Sequence, residues 1–172
     1  MSRPFESPLP EPLAYFLTWP TYGTWLPGDE RGWVKRHHGM QPPDVELERA
    51  SATRMTEPAC CFNLAQRQLV ESTISAHCRR RGWQLFAVNC RSNHVHVVVQ
   101  APDHPDIVRD QLKSWTTRAL KTHQSEHTGG THSFKQRTKW WAERGSKRYI
   151  NNEAGLEAAI RYVQDVQDGP RD

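Results

Sequence analysis

The sequence predicts an α+β domain of the ferredoxin-like, split βαβ type, an antiparallel sheet with helices on one face. Short apolar runs of strand length alternate with amphipathic stretches of helix length, in the order strand, helix, strand, strand, helix, strand, helix. Two of the strands are separated by a two-residue turn, which favours a hairpin. The 172 residues suit a single domain over residues 13–170, behind a flexible arm of residues 1–12 that holds four prolines.

The first strand is followed by an abrupt change in composition. The apolar run LAYFLTW, at 13–19, is typical of a buried strand. The stretch from there to Gly39 is rich in glycine and proline, so we expect a long loop without regular structure. Residues 44–54 are consistent with a short helix.

A second helix and a hairpin come next. Asn63 is suited to cap a helix that ends near Gly82. Its apolar stripe recurs at helical spacing through Val70, Ile74, His77 and Cys78. Residues 83–91 and 94–101 read as two strands joined by a tight turn at Ser92 and Asn93.

The remaining elements complete the order given above. A helix is expected over residues 106–123, with its apolar side formed by Ile107, Leu112, Trp115 and Leu120. We expect a loop over 124–139, a last strand within 140–150, and a final helix that Asn152 caps and that runs to about Gln167.

Composition narrows the class of protein. Lysine and arginine total 23 against 19 aspartate and glutamate, a net charge of +4 that weakly favours a polyanionic partner. No apolar run is long enough for a membrane span or a signal peptide, so we expect a cytoplasmic protein without membrane association. The four cysteines lack a disulfide or C-x-x-C pattern and are expected to be reduced.

The pair His94 and His96 is the most informative feature of the sequence. Residues at i and i+2 of a strand project from one face, so the two imidazoles converge while Val95, Val97 and Val99 fill the other face. Such a pair could bind one cation or could simply face water. No cysteine lies on the His94 face, and an oxygen ligand would favour Mg²⁺ or Mn²⁺.

The final helix could supply the rest of such a site. Its apolar stripe consists of Leu156, Ala159, Ile160 and Val163. By helical geometry Gln167 points along that stripe toward the sheet, which makes it a candidate metal ligand. Tyr162 lies at the flank of the stripe and could attack phosphorus beside a metal-bound phosphate, or could be a rim tyrosine; Tyr149 is the rival nucleophile.

Several basic and aromatic residues are candidates for DNA binding. Arg79, Arg80 and Arg81 end a helix, where they could contact phosphates or favour the helix dipole. Lys139, Trp140 and Lys147 belong to a basic stretch whose two adjacent tryptophans are expected to include one core residue. Arg31 and Trp33, in the glycine-rich loop, could hold DNA or belong to a packed surface loop. The histidines without ligand spacing are expected to be solvated: His37, His38, His104, His123, His127 and His132.

Three segments together resemble a known family. TYGTWLPGDERG, RGWQLFAVNCRSNHVHVVV and RYINNEAGLEAAIRYVQDVQ are similar to REP-associated tyrosine transposases, in the single-tyrosine branch of the His-hydrophobic-His (HUH) superfamily. The resemblance implies that His94 and His96 bind a divalent ion. It also implies that Tyr162 cuts single-stranded DNA, leaving a 5′-phosphotyrosine and a free 3′-hydroxyl. The family's metal-binding glutamine would fall at Val166, so the third ligand stays open between Gln167, Gln164 and water.

These observations predict metal-dependent nicking and strand transfer of single-stranded DNA, beside a recognised hairpin. Single-stranded or hairpin DNA is the expected partner, Mg²⁺ or Mn²⁺ the expected cofactor, and the protein is expected to be a monomer or homodimer. The alternatives are a replication-initiator or relaxase-like nickase, a non-catalytic nucleic-acid-binding domain, and a metal-dependent hydrolase that uses water.

Overall fold

A four-stranded antiparallel sheet forms the centre of the molecule. A computed structural model describes residues 11–128 and 135–165. The sheet contains β1 (Ala14–Pro20), β4 (Gln84–Cys90), β5 (His94–Gln100) and β6 (Ser146–Ile150), in the spatial order β4-β5-β1-β6. Helices α2 (Leu64–Arg81) and α3 (Pro105–His127) make the crossovers, and α4 (Glu153–Gln164) follows the last strand. This order confirms the predicted ferredoxin-like α+β sheet.

Alternation along the strands separates two apolar clusters. Tyr15, Leu17 and Trp19 of β1 face the same side as Val95, Val97 and Val99 of β5, and this side packs against α2 and α3. We call it the α2/α3 face. Ala14, Phe16 and Val98 point the other way, as do His94 and His96, toward the side on which α4 packs. We call this the α4 face.

The position of α4 corrects the predicted architecture. The sequence predicts helices on one face only, and that holds for α2 and α3 but not for α4. The apolar stripe of α4 was predicted correctly, and it packs against Ala14, Ala87, Val98 and Ile150 on the opposite face. These small or β-branched residues leave that face apolar enough to bury a helix, so the sheet is covered from both sides.

The ends of α2 agree with the sequence. Asn63 and Gln66 form a reciprocal capping box at its first turn, and Gly82 ends it in the left-handed conformation. Helix α3 runs four residues further than expected, to His127. Its buried side contains Val108, Leu112, Thr116 and Leu120, whereas Ile107 is exposed, contrary to the expected stripe.

The glycine-rich segment after β1 has more structure than expected. It contains a small hairpin, β2 (Trp33–Lys35) and β3 (Gly39–Gln41), followed by the predicted short helix α1 (Val45–Thr53). Gly28 has φ +93°, and a Cβ there would lie 2.2 Å from the carbonyl oxygen of Asp44, which caps α1. A glycine at this position therefore lets the loop pack directly on the start of the helix.

The segment before β6 also packs closely on β1. A Cβ on Gly145 would lie 2.3 Å from the carbonyl oxygen of Thr18, so only glycine fits between the two chains. Residues 1–10, which form most of the predicted arm, and Gln167 lie outside the described residues. Among the described helices, none has the length and apolar character that crossing a bilayer requires.

Candidate active site

Two histidine rings meet on the α4 face. His94 and His96 both point to this face from β5, and their ring centroids are 4.6 Å apart. His96 is only 7% exposed. The predicted convergence of the pair on one face of a strand is therefore present, with Val95, Val97 and Val99 buried on the other face.

The Nδ1 atom of each ring is engaged by a neighbour. His94 Nδ1 lies 2.6 Å from Asn93 Oδ1, and because that amide oxygen can only accept, the Nδ1 must carry the hydrogen. His96 Nδ1 lies 2.7 Å from the hydroxyl of Thr18, its cross-strand partner. The Thr18 hydroxyl can accept a hydrogen from His96 Nδ1, and in that tautomer Nε2 of both rings is the nitrogen that can bind a metal, an arrangement typical of metal-ligating histidines.

The electrostatic surroundings keep His96 neutral. Burial lowers the pKa of His96 to about 3, with smaller contributions from His94 and Arg91. The ring therefore carries no charge at neutral pH, and a neutral imidazole is the form that coordinates metal.

The glycine-rich loop supports the turn that precedes His94. The carbonyl oxygen of Asn93 accepts hydrogen bonds from the amide of Thr21 (2.8 Å), the hydroxyl of Thr21 (3.1 Å) and the hydroxyl of Thr24 (3.2 Å). Thr21 is fully buried. These three donors hold the turn that orients Asn93 and, through it, the His94 ring.

Tyr162 stands beside this histidine pair. Its ring centroid lies 5.7 Å from that of His96 and 5.9 Å from that of Phe16, with both contacts edge to face. The side chain is 42% exposed, as its predicted place at the flank of the apolar stripe requires. A solvent-accessible phenol beside His96 is an arrangement that can attack an electrophile held at the histidine pair.

Asn89 fixes the end of α4 that carries Tyr162. Its side-chain amide donates to the carbonyl oxygen of Val163 at 3.2 Å, and Asn89 pairs with His96 across the β4–β5 ladder. The bond ties the last turn of the helix to the strand next to the histidines. An asparagine within a strand carries no signal for a contact with a residue 74 positions away, so this role of Asn89 was not predicted.

Phe16 is a second residue that the sequence analysis missed. Besides contacting Tyr162, its ring stacks on His96 at 5.5 Å, and the Arg148 guanidinium lies 5.1 Å from its centroid. Phe16 and Arg148 are cross-strand partners on β1 and β6. Side chains alternate along LAYFLTW, so Phe16 points to the face opposite that of Leu17. This alternation could have assigned Phe16 to the histidine face.

The rival tyrosine lies on the other side of the sheet. Tyr149 pairs with Tyr15 across β6 and β1, and their rings make an edge contact at 5.7 Å on the α2/α3 face. The sheet separates this phenol from His94 and His96, so the structure brings Tyr162 and not Tyr149 to the pair.

A third protein ligand is not defined by the described chain. Within residues 11–128 and 135–165, no group of three histidine, cysteine, aspartate or glutamate side chains could hold a metal ion. Gln164 is exposed at the end of α4, and Gln167 falls beyond the last described residue. The two imidazoles fit a divalent cation whose other ligands are amide oxygens, water or substrate oxygens.

The predicted DNA-binding residues of the glycine-rich loop are held by local contacts. Arg31 binds both carboxylate oxygens of the buried Asp29 and donates to the carbonyl oxygen of Thr24. These bonds raise the pKa of Arg31 and lower that of Asp29. Trp33 Nε1 donates to the carbonyl oxygen of Pro42 at 3.1 Å. The loop is thus well ordered by its own hydrogen bonds.

The three arginines at the end of α2 have different surroundings. Arg80 stacks on Trp115 at 5.4 Å, whereas Arg81 stacks on Trp83 at 5.4 Å and pairs with Asp103 at 3.3 Å. Arg79 is exposed. All three lie in the last turn of α2, a helix that packs on the α2/α3 face.

The later basic stretch splits into three environments. Lys139 is exposed and its ammonium lies 5.3 Å from the centre of the Tyr22 ring. Lys147 forms an ion pair with Asp106 and points to the α2/α3 face. Trp140 is 3% exposed and packs against Phe62, so it belongs to the core, and the prediction that it contacts DNA is wrong. A buried indole has no face on which a base can stack.

Comparison with known proteins places this geometry in context. Residues 57–165 match the family model described as IS200-like transposase. The fold is similar to a REP-associated tyrosine transposase solved with a REP hairpin, at 13% identity and a TM-score of 0.51, over 95% of this chain and 70% of that one. A candidate transposase from Deinococcus radiodurans R1 matches at 16% identity and a TM-score of 0.41, over 96% and 95% of the two chains. No curated protein matches the sequence.

Proposed function

Since the chain belongs to the IS200-like transposase family, as a match over 109 of its 172 residues establishes, we propose that it nicks and rejoins single-stranded DNA through a covalent 5′-phosphotyrosine on Tyr162. Family membership makes it a DNA-processing enzyme of transposition. The observation that carries the finer proposal is the exposed Tyr162 ring beside His96, on the face to which both histidines point.

In this proposal His94 and His96 hold one divalent ion, Mg²⁺ or Mn²⁺, through Nε2. Thr18 and Asn93 act as their supports at Nδ1. When bound, the ion polarises a phosphoryl oxygen and stabilises negative charge during the transfer. Gln167 is the proposed third protein ligand, with Gln164 or water as the alternatives.

Tyr162 performs the covalent step in both directions. The Tyr162 phenol gives up its proton as its oxygen attacks phosphorus, the bond between phosphorus and the 3′ oxygen breaks, and that oxygen takes up a proton and leaves as a 3′-hydroxyl. The phosphate stays on the tyrosine. A 3′-hydroxyl of another strand then attacks the phosphotyrosine and releases the phenol. One phosphodiester is exchanged for another, so no nucleotide triphosphate is needed.

We further propose that the protein recognises a DNA hairpin. The similar solved transposase is bound to a REP hairpin, and its fold is shared with this chain. The ordered loop with Arg31 and Trp33, together with Arg79, Arg80, Arg81, Lys139 and Lys147, supplies cationic and aromatic groups for such a partner. A single cytoplasmic domain over residues 13–170, acting as a monomer or homodimer, is the accompanying proposal.

The test is formation of a covalent protein–DNA adduct on a denaturing gel. Labelled hairpin-bearing single-stranded DNA and Mn²⁺ are incubated with the wild type, with Tyr162→Phe and with the matched control Tyr149→Phe. We expect an adduct with the wild type and Tyr149→Phe, and none with Tyr162→Phe. Metal-dependent cleavage without any adduct would instead indicate a hydrolase, and DNA binding without cleavage would indicate a non-catalytic domain.

A further inference from the structure

An open groove of about 630 Å³ runs between α3 and the segment 138–143. Four cationic side chains line it: Lys113, Arg118 and Lys121 from the helix and Lys139 from the segment. Ser114, Thr117 and Thr138 add hydroxyl groups. Two carboxylates also line the groove, so cations outnumber them by four to two. A concave surface with this excess of donors and positive charge suits a polyanion.

Some cations elsewhere in the described chain are held in ion pairs. Arg31, Arg81, Arg109, Arg137 and Lys147 each form an ion pair. Across residues 11–128 and 135–165, no ion pair involves any of the four groove cations. Of the two carboxylates that line the groove, Asp110 is bound by Arg109 at 3.1 Å. Within the described residues the groove cations therefore have no carboxylate at ion-pair distance, although Glu143 in the lining also acts on the charge of Lys113.

Lys113 joins the two walls at the bottom of the groove. Its ammonium donates to the carbonyl oxygens of Ala142 (2.6 Å) and Glu143 (3.1 Å). Burial, with a smaller effect of Arg109, lowers the pKa of Lys113 to about 8, so the group is still protonated at pH 7. The two walls of the groove therefore touch at Lys113.

The segment that forms one wall of the groove is bonded to the end of β1. Trp141 pairs with Thr21, and the amide of Ala142 donates to the carbonyl oxygen of Pro20 at 3.1 Å. Pro20 is the cross-strand partner of His94. One wall of the groove is thus attached to the end of β1 that pairs with His94; the groove itself lies on the side of α3, and the His94 ring points to the opposite α4 face.

We propose that this groove binds the sugar–phosphate backbone of a single DNA strand on its way to or from the histidine–tyrosine site, with Arg118 and Lys121 as phosphate contacts. The inference rests on the proposed function for its ligand, since a strand-transferring enzyme must hold the strand on either side of the cut. It adds the α3 wall, which the sequence analysis did not assign to DNA.

The test compares two double variants that remove the same charge. Arg118→Ala with Lys121→Ala removes two groove cations. Arg49→Ala with Arg54→Ala removes two exposed cations of α1 and its cap and serves as the matched control. Fluorescence anisotropy of a short oligothymidylate, in EDTA to prevent cleavage, gives Kd at a series of salt concentrations.

The groove variant is expected to bind about tenfold more weakly, and its slope of log Kd against log salt should fall by about 1.4, the effect of two lost single-strand phosphate contacts. The α1 control should keep the wild-type slope. Lys121→Glu tests the same site without touching Arg118, which stacks on Trp115, and should weaken binding more than an alanine there. Equal slopes for the groove and control variants would overturn the proposal, as would a groove effect on duplex DNA alone.

Adduct formation separates this inference from the proposed function. At saturating DNA the groove variant should form the Tyr162 adduct to the wild-type level, because its reacting groups are intact. A wild type that forms no adduct but shows the groove-dependent slope would refute the nicking mechanism and leave the binding site standing. If the wild type forms the adduct but the groove and control variants have equal slopes, the nicking mechanism stands and the groove proposal is overturned.

Discussion

The α2/α3 face of the sheet is closed, whereas the α4 face is only partly covered. On the first, Leu17, Val95, Val97 and Val99 are fully buried under two helices. On the second, the same strands present Phe16, Thr18, His94 and His96, and a single short helix packs mainly over β4 and β5. The period of two along a strand lets one segment serve both purposes. Stability is concentrated on the closed face, and the groups capable of chemistry are on the other.

The strongest test of this division removes a histidine. His96→Ala should lower Mn²⁺ affinity by more than about 100-fold, because losing a ligand costs more than losing one of its supports, which costs about 10- to 100-fold. Isothermal titration gives the affinity, and the covalent adduct should be lost with it. His38→Ala, at an exposed site, is the control. Unchanged metal affinity in His96→Ala would remove the pair from the metal site.

A large-to-small change on the closed face should act on stability alone. Leu17→Ala is expected to lower the free energy of unfolding by about 2–5 kcal/mol, because Leu17 is fully buried. Leu64→Ala, the same change at a side chain that is 60% exposed, should cost far less. Urea denaturation measures both. If Leu17→Ala remained folded but bound Mn²⁺ more weakly, stability and metal binding would not be divided between the two faces.

A subtler change on the α4 face removes only a hydrogen bond. Thr18→Val keeps the shape of the side chain but deletes the hydroxyl at His96 Nδ1, and should weaken Mn²⁺ binding about tenfold. Thr116→Val deletes a hydroxyl bonded to the Leu112 carbonyl within α3 and should leave metal affinity unchanged. If the two substitutions changed the Mn²⁺ affinity measured by isothermal titration equally, Thr18 would not be a positioning residue for His96.

The smallest expected effect concerns thiol reactivity. Cys60, Cys78 and Cys90 are buried with the α2/α3 cluster, and burial raises the pKa of Cys60 and Cys78 to about 11. Only Cys61 is exposed. A thiol reagent at pH 8 should therefore modify one cysteine rapidly in the native protein and four after denaturation. Fast modification of Cys78 would show that the closed face opens.

Much of the fold follows from local signals in the sequence. The cap at Asn63, the turn at Ser92 and Asn93 and the period of two around His94 each act within a few residues, and all were predicted. The hairpin β2–β3 was not predicted because its strands are short and its turn places a histidine, His37, at φ +65°. The sequence does not mark His37 as a residue with positive φ.

The contacts that complete the site are non-local. Amphipathicity shows that α4 buries a stripe but not that this stripe packs on the face opposite α2 and α3, so the expectation of helices on one face failed for α4. The bond between Thr18 and His96 joins residues 78 apart, and that between Asn89 and Val163 joins residues 74 apart. Nothing local to Thr18 or Asn89 in the sequence indicates the residue to which its side chain bonds. The sequence gives no means to distinguish Trp140 from Trp141. Only the tertiary packing shows that Trp140 is the buried one.

The central claim is that Tyr162 shares one sheet face, and one reaction, with His94 and His96. It is tested most directly by trapping the adduct with hairpin-bearing single-stranded DNA and Mn²⁺, digesting it and identifying the modified peptide by mass spectrometry. The account predicts the nucleotide on Tyr162, with no adduct after chelation of the metal. A nucleotide on Tyr149, on the opposite face, or an adduct that forms equally well in EDTA, would contradict it.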